Sequence, residues 1–228
     1  MGSRSTLAGL EVPNPAAIQD YCSSISIGEP PTYIIWRIHK HLPHILELLE
    51  FCANKEFPKV GLQGLRIIFR EALSPLIFLC KNEVFCGIEN AYPYLLYALT
   101  VSGIANLLRL RTIASYASGS VIQPDDLLDY GLGVLRPITS AAATPSGCLV
   151  IGRNDGSLLC YQLATVIPSY PGFRQELRDD PGIGSLWGLM SRGRVSAVQD
   201  LVISMVHGKT LVFVLHTDGI LRVWDFIS

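Results

Sequence analysis

Charge is the scarcest ingredient of this sequence. Only 16% of its 228 residues are Asp, Glu, Lys or Arg, and 18 basic against 19 acidic residues leave a formal net charge of −1. That balance makes no electrostatic case for nucleic-acid binding through a broad basic face. The six cysteines, at 22, 52, 80, 86, 148 and 160, form no Cys-x-x-Cys pair and no evenly spaced framework. Reduced, intracellular thiols are the expectation. The opening MGSRSTLAGLEVP has no apolar core of a secretory signal, so none is expected there. Catalytic signatures are missing too. There is no Gly-x-Ser-x-Gly elbow, no completed dinucleotide loop and no phosphate-binding loop with its Lys-Ser pair.

What the chain has instead is apolar residues, 49% of the total, with a mean hydropathy of +0.35. Such a chain buries much of itself in a dense core or against partners. The clearest pattern is at Lys209–Phe226, KTLVFVLHTDGILRVWDF, where two apolar runs flank Thr217-Asp218-Gly219. Asp-Gly between such runs is a strong hairpin signal, and the Trp224-Asp225 ending marks a strand of a WD-type propeller blade. The pattern recurs at Gly147–Leu163, with Asn154-Asp155-Gly156 at the turn and Tyr161 in the place of Trp224. A third copy, Tyr94–Leu110, turns at Ser102-Gly103 and has Leu108 at the aromatic place. Three copies with the same offsets predict a repeat architecture. The fold class expected is all-β, a partial WD-type β-propeller of about three to four blades with a few short helical insertions.

The remaining elements follow from composition. Residues 1–30, with Pro13, Pro15, Gly28 and Pro30 and with Pro31 just beyond, read as a loosely ordered N-terminal segment, and residues 31–228 as an incomplete propeller. Strands are expected at Thr32–Ile38, Ile45–Phe51, Gly64–Phe69 and Pro75–Cys80, then at Leu135–Thr144 and Ala197–Met205. Residues 112–136 break the β pattern, and Pro124-Asp125-Asp126-Leu127-Leu128 resembles a helix start. Ala164–Arg194 reads as an inter-blade insertion with helical turns near Trp187. The total is about ten to twelve short strands. Ala91–Leu108 has no charged residue and reaches the lower limit for a membrane helix. Pro93, Ser102, Gly103 and Asn106 fit a hairpin there better, so no transmembrane segment is expected.

Candidate chemical groups are few. His39, His41 and His44 invite a metal reading, with His39 and His41 sharing one face of an extended strand, yet no Cys or carboxylate falls at ligand spacing. Gly182-Ile183-Gly184 and Gly152–Gly156 read as turns. The pairs Asp125-Asp126 and Asp179-Asp180 read as solvated loop carboxylates. No catalytic residue, cofactor site or metal site is expected, and the chain is not expected to be an enzyme.

Several stretches carry a more particular likeness. They are LAGLEVP near the start, GEPPTYIIWRIHK at 28–40, EFPKVGLQGLRIIFREALSPLIFLCKNE at 56–83, YPYLLYALTVSGIANLLRLR at 92–111, GCLVIGRNDGSLLCYQL at 147–163 and the long run at 171–226. Together they resemble the N-terminal β-propeller region of the plant 160-kDa nucleoporins of the Y-shaped outer-ring complex of the nuclear pore. The Leu177-Arg178-Asp179-Asp180 and Gly184–Gly193 segments are the most specific to it. The resemblance implies a scaffold nucleoporin at the nuclear envelope, within the nuclear pore complex. It implies other outer-ring nucleoporins as protein partners, no direct nucleic-acid contact, and a part in nucleocytoplasmic transport including mRNA export. Family members continue into a helical solenoid that these residues lack, so a truncated form or fragment is expected. The competing reading is a generic WD-type adaptor for protein–protein contacts without a pore location.

Overall fold

The structure is a computed structural model, described for residues 21–29, 31–52, 64–83, 92–117, 119–122, 132–133, 137–162, 173–177 and 196–226. Among the described residues the regular elements are sixteen strands and one 3-10 turn, Ile113–Ser115, with the strands arranged in four sheets. The first sheet contains β1 (Tyr21–Ile27), β2 (Thr32–His39), β3 (Leu42–Cys52) and β4 (Leu65–Ile68), antiparallel in chain order. β8 (Val121–Ile122) joins its edge parallel to β4. The second sheet is β5 (Leu73–Lys81), β6 (Tyr94–Thr100), β7 (Ile104–Leu110) and β9 (Leu132–Gly133). The third is β10 (Ile138–Ala143), β11 (Cys148–Arg153), β12 (Leu158–Gln162) and β13 (Phe173–Leu177), and the fourth β14 (Val198–Val206), β15 (Lys209–His216) and β16 (Leu221–Phe226). The described residues are thus nearly all β, in serial antiparallel sheets, as the repeat predicts.

The chain divides into two compact units, one holding the first and second sheets, the other the third and fourth. In the first unit the alternation of β2 buries Ile34, Trp36 and Ile38, and register sets Trp36 across from buried Leu48 and Ile38 across from buried Leu46 on β3. Leu73, Ile77 and Leu79 of β5, with Tyr94, Leu96 and Ala98 of β6, complete this core from the second sheet. Each fully buried Leu or Ile contributes about 1.5–3 kcal/mol of transfer free energy. Glu50 adds a polar clamp. Its carboxylate accepts the Tyr94 hydroxyl proton at 2.9 Å and the Ala114 N–H at 2.8 Å, joining the first sheet to the second and to the 3-10 turn.

In the second unit Cys148, Val150, Leu158 and Cys160 of the third sheet pack with Val198, Leu201, Val212 and Val214 of the fourth. At Gly152 the two sheets approach closely. A Cβ there would stand 2.5 Å from Val198 Cγ1 and 2.9 Å from its Cβ, so a hydrogen is what fits.

Four strands depart from the sequence expectation. Tyr21–Ile27 is strand β1, which corrects the loose segment proposed through residue 30; residues 1–20 lie outside the described residues. β8 and β9 fall inside 112–136, where no strand was expected, and β13 falls inside the expected insertion. The helix start at Pro124–Leu128 and the turns near Trp187 lie outside the described residues. Ala91–Leu108 is resolved in favour of the hairpin β6–β7, and among the described residues no helix is long and apolar enough to cross a membrane.

Candidate interaction surface

The three repeated hairpins share one turn. Gly103, Gly156 and Gly219 have φ of +90°, +79° and +81°, the left-handed region that an L side chain resists. Each glycine N–H donates to the carbonyl three residues earlier, of Thr100, Arg153 and His216, at 3.1, 3.1 and 2.9 Å. A side-chain oxygen then accepts the N–H just after the glycine. Asp155 Oδ1 takes that of Ser157 at 3.1 Å and Asp218 Oδ1 that of Ile220 at 3.0 Å. In the copy without an aspartate, Thr100 Oγ1 takes that of Ile104 at 2.9 Å. The aspartates therefore serve as acceptors, and the glycine alone takes positive φ. This is the three-residue hairpin loop with a left-handed closing residue.

The residue three before each glycine is polar and buried: Thr100, Arg153 and His216 are 4%, 4% and 1% exposed. Their partners differ. Arg153 Nη1 donates to Glu176 Oε1 of β13 at 3.0 Å. His216 Nδ1 lies 2.8 Å from the Ser196 carbonyl oxygen, to which it donates. These contacts hold blades together internally.

The residues weighed as ligands do not assemble. His39 ends β2 while His41 lies in the following turn, so the two do not alternate along one strand as the sequence suggested. Their rings tilt by 54° with centroids 5.9 Å apart, and the His41 N–H donates to His39 Nδ1 at 3.2 Å. No group of three or more His, Cys, Asp or Glu at ligand distance occurs among the described residues. Gly152–Gly156 is the end of β11 and its turn. Asp125, Asp126, Asp179, Asp180 and Gly182–Gly184 lie outside the described residues. Cys80, Cys148 and Cys160 are buried thiols, and burial pushes the pKa of each up to about 12, far from a reactive thiolate.

Outward-facing surface is more informative. On the first sheet, Arg37, Glu47 and Arg66 lie opposite one another on β2, β3 and β4. Glu47 accepts from Arg37 Nε at 2.5 Å and from Arg66 Nε at 2.8 Å. Burial opposes ionisation of Glu47, but the two guanidinium groups outweigh it and hold the carboxyl below its ordinary value. On the fourth sheet, register sets Val202, Phe213 and Val223 side by side across all three strands, flanked by Leu215 and Leu221. Val223 and Leu221 are 51% and 60% exposed. This apolar row was not singled out from sequence. Its signal is the lack of alternation in Thr210–Leu215, TLVFVL, where apolar residues occupy both faces of the strand.

Serial antiparallel sheets with a recurring hairpin, and no assembled chemical site among the described residues, define a repeat protein of the propeller class. Comparison with known sequences agrees: the β-propeller domain of nucleoporin Nup120/160 matches residues 32–228. The chain belongs to that nucleoporin β-propeller family. It is also 43% identical over 216 residues to "Nuclear pore complex protein NUP160" of Arabidopsis thaliana. That alignment covers 92% of this chain and 14% of the relative's length.

Proposed function

We propose that this chain is a non-catalytic structural nucleoporin component. Its propeller sheets present protein-binding surface to other outer-ring nucleoporins at the nuclear envelope. The observation that carries this reading is the family match along residues 32–228, joined to a 43%-identical plant relative named as a nuclear pore complex protein. Residues 21–228, from strand β1 onward, would act as an incomplete propeller. Support for nucleocytoplasmic transport, mRNA export included, would follow from that structural place rather than from RNA contact, in keeping with the net charge of −1.

The test is a tagged chain expressed in plant cells beside a full-length relative as control. Rim staining of the nuclear envelope and co-purification of outer-ring nucleoporins are expected. Diffuse staining without such partners, in cells where the control behaves, would favour the adaptor reading instead.

A further inference from the structure

Where β7 gives way to the 3-10 turn the chain reads Arg109-Leu110-Arg111-Thr112-Ile113, with arginine one and three places before a threonine and an apolar residue just after it. Thr112 is exposed and extended, at φ −50° and ψ 131°. It stands immediately before the turn, yet its hydroxyl makes no capping bond. A threonine in that place ordinarily accepts an N–H of the first turn. Here Glu50 of β3 does so instead, accepting the Ala114 N–H at 2.8 Å. Arg109 and Arg111 each hold their guanidinium carbon 5.7 Å from the centre of the Tyr92 ring.

We propose that Thr112 is a phosphorylation site for a serine/threonine kinase that reads arginine ahead of its target, and that the phosphate loosens the Glu50 clamp. This lies beyond the scaffold role and stands or falls independently of it. Kinases of that kind select substrates by charge pattern, so an acidic subsite draws Arg109 off Tyr92, while Arg111 is already exposed. Ile113 is 5% exposed and anchors the turn, so the kinase takes the segment during local opening. Thr112 Oγ1 then attacks the γ-phosphorus of ATP. The bond to the β,γ-bridging oxygen breaks, ADP leaves, and the hydroxyl proton passes to the kinase's catalytic aspartate. The product carries a charge of about −1.5 to −2 two residues from the N–H that Glu50 holds. Repulsion from the carboxylate, and pairing of the phosphate with Arg111, both disfavour the clamped turn. Beyond the turn the chain returns to the first sheet, where the Arg66 N–H donates to the Ser120 carbonyl at 2.9 Å and β8 pairs with β4. Loosening at Ala114 therefore reaches the seat of β8. The coupling is reciprocal: a weaker clamp makes Thr112 easier to modify.

The test incubates the folded chain with ATP and a kinase that requires arginine three places before its target, and maps the phosphate by mass spectrometry. Phosphate on Thr112 is expected, absent in Thr112→Val and entering at least about tenfold more slowly in Arg109→Gln. Glu50→Gln should be modified faster than the parent chain. Thr112 left unmodified in the folded chain overturns the site, whether or not a synthetic peptide of residues 106–117 is phosphorylated. Amide exchange then reads the clamp. Exchange at Ala114 and at Val121–Ile122 should quicken at least about tenfold on phosphorylation, as expected for loss of a hydrogen bond to a charged group. Unchanged exchange in fully modified chain overturns the coupling to Glu50, as does an unchanged rate of modification in Glu50→Gln.

Discussion

β6 and β15 occupy the same place in their hairpins, each running into a turn glycine, yet they live in different surroundings. Every residue of β6 is buried, whereas β15 buries Val212, Val214 and His216 and leaves the intervening residues partly exposed. Leu95 and Leu211 stand eight residues before Gly103 and Gly219, and the first is fully buried while the second is not. The same local grammar thus produces the same hairpin, and the second face of the sheet is what varies. A blade of this repeat is specified by its turn and one apolar face; the other face is free to become core or contact surface.

The largest effect that can break this comparison is truncation of its matched pair. Leu95→Ala should cost about 2–5 kcal/mol, and Leu211→Ala less than about 1 kcal/mol, in urea unfolding followed by circular dichroism. Equal losses would mean the outer face of the fourth sheet is packed as tightly as the second. Next comes the close approach of the third and fourth sheets. Gly152→Ala should lose about 1–3 kcal/mol through overlap with Val198, and Val198→Ala in the same chain should recover part of it.

Gly219→Ala sharpens the distinction between crowding and backbone strain. A Cβ there meets nothing within 4 Å, so its cost, about 1–2 kcal/mol, comes from positive φ alone. The second mutation at Val198 should not rescue it. A smaller, pH-dependent effect belongs to the first sheet. The Glu47 carboxyl is held below its ordinary value, so its stabilisation is full above the unfolded value of 4.5 and fades as pH falls through the lower folded value. The stability gap between the parent chain and Glu47→Gln should therefore shrink on acidification below pH 4.5, in unfolding titrations at two pH values. The mildest probe leaves stability alone. Under native conditions a maleimide should label exposed Cys22 and spare Cys80, Cys148 and Cys160 until the chain unfolds.

The elements legible in the sequence were those with a long apolar or β-branched run or a marked turn, edge strands such as β5 and β14 included. The hairpins at Gly103, Gly156 and Gly219, and strands such as Thr32–His39, declare themselves through β-branched runs and turn chemistry. The strands that escaped notice, β1, β8, β9 and β13, all lie at sheet edges. An edge strand has one partner and a half-solvated backbone, so it needs fewer apolar residues; β1 reads YCSSISI and β13 reads FRQEL. β8 and β9 are two residues long, too short for any periodicity. The hairpin β2–β3 shows the converse. It turns at His39–Lys40–His41 with no glycine, so the first sheet contributes no visible copy of the repeat although its geometry is sheet-like throughout. The outer-face contact row was equally hidden, since pairing register decides which apolar residues of β14, β15 and β16 share a face.

The parallel seat of β8 on the first sheet has a consequence for how the chain matures as it is made. Val121 and Ile122 return to Arg66 and Ile67 only after β5, β6 and β7 have gone to build the second sheet. During synthesis from the N-terminus, the first sheet therefore waits for its last strand until the neighbouring hairpin has been delivered. The second sheet in turn waits for β9, which follows β8. The two are interlaced in time, and neither is finished alone. The third and fourth sheets are each made of consecutive strands and close as they emerge, with short loops to organise. Once the chain through β7 has left the ribosome, the first sheet has four of its five strands and the second three of its four, and Val121–Gly133 supplies the strand each still lacks.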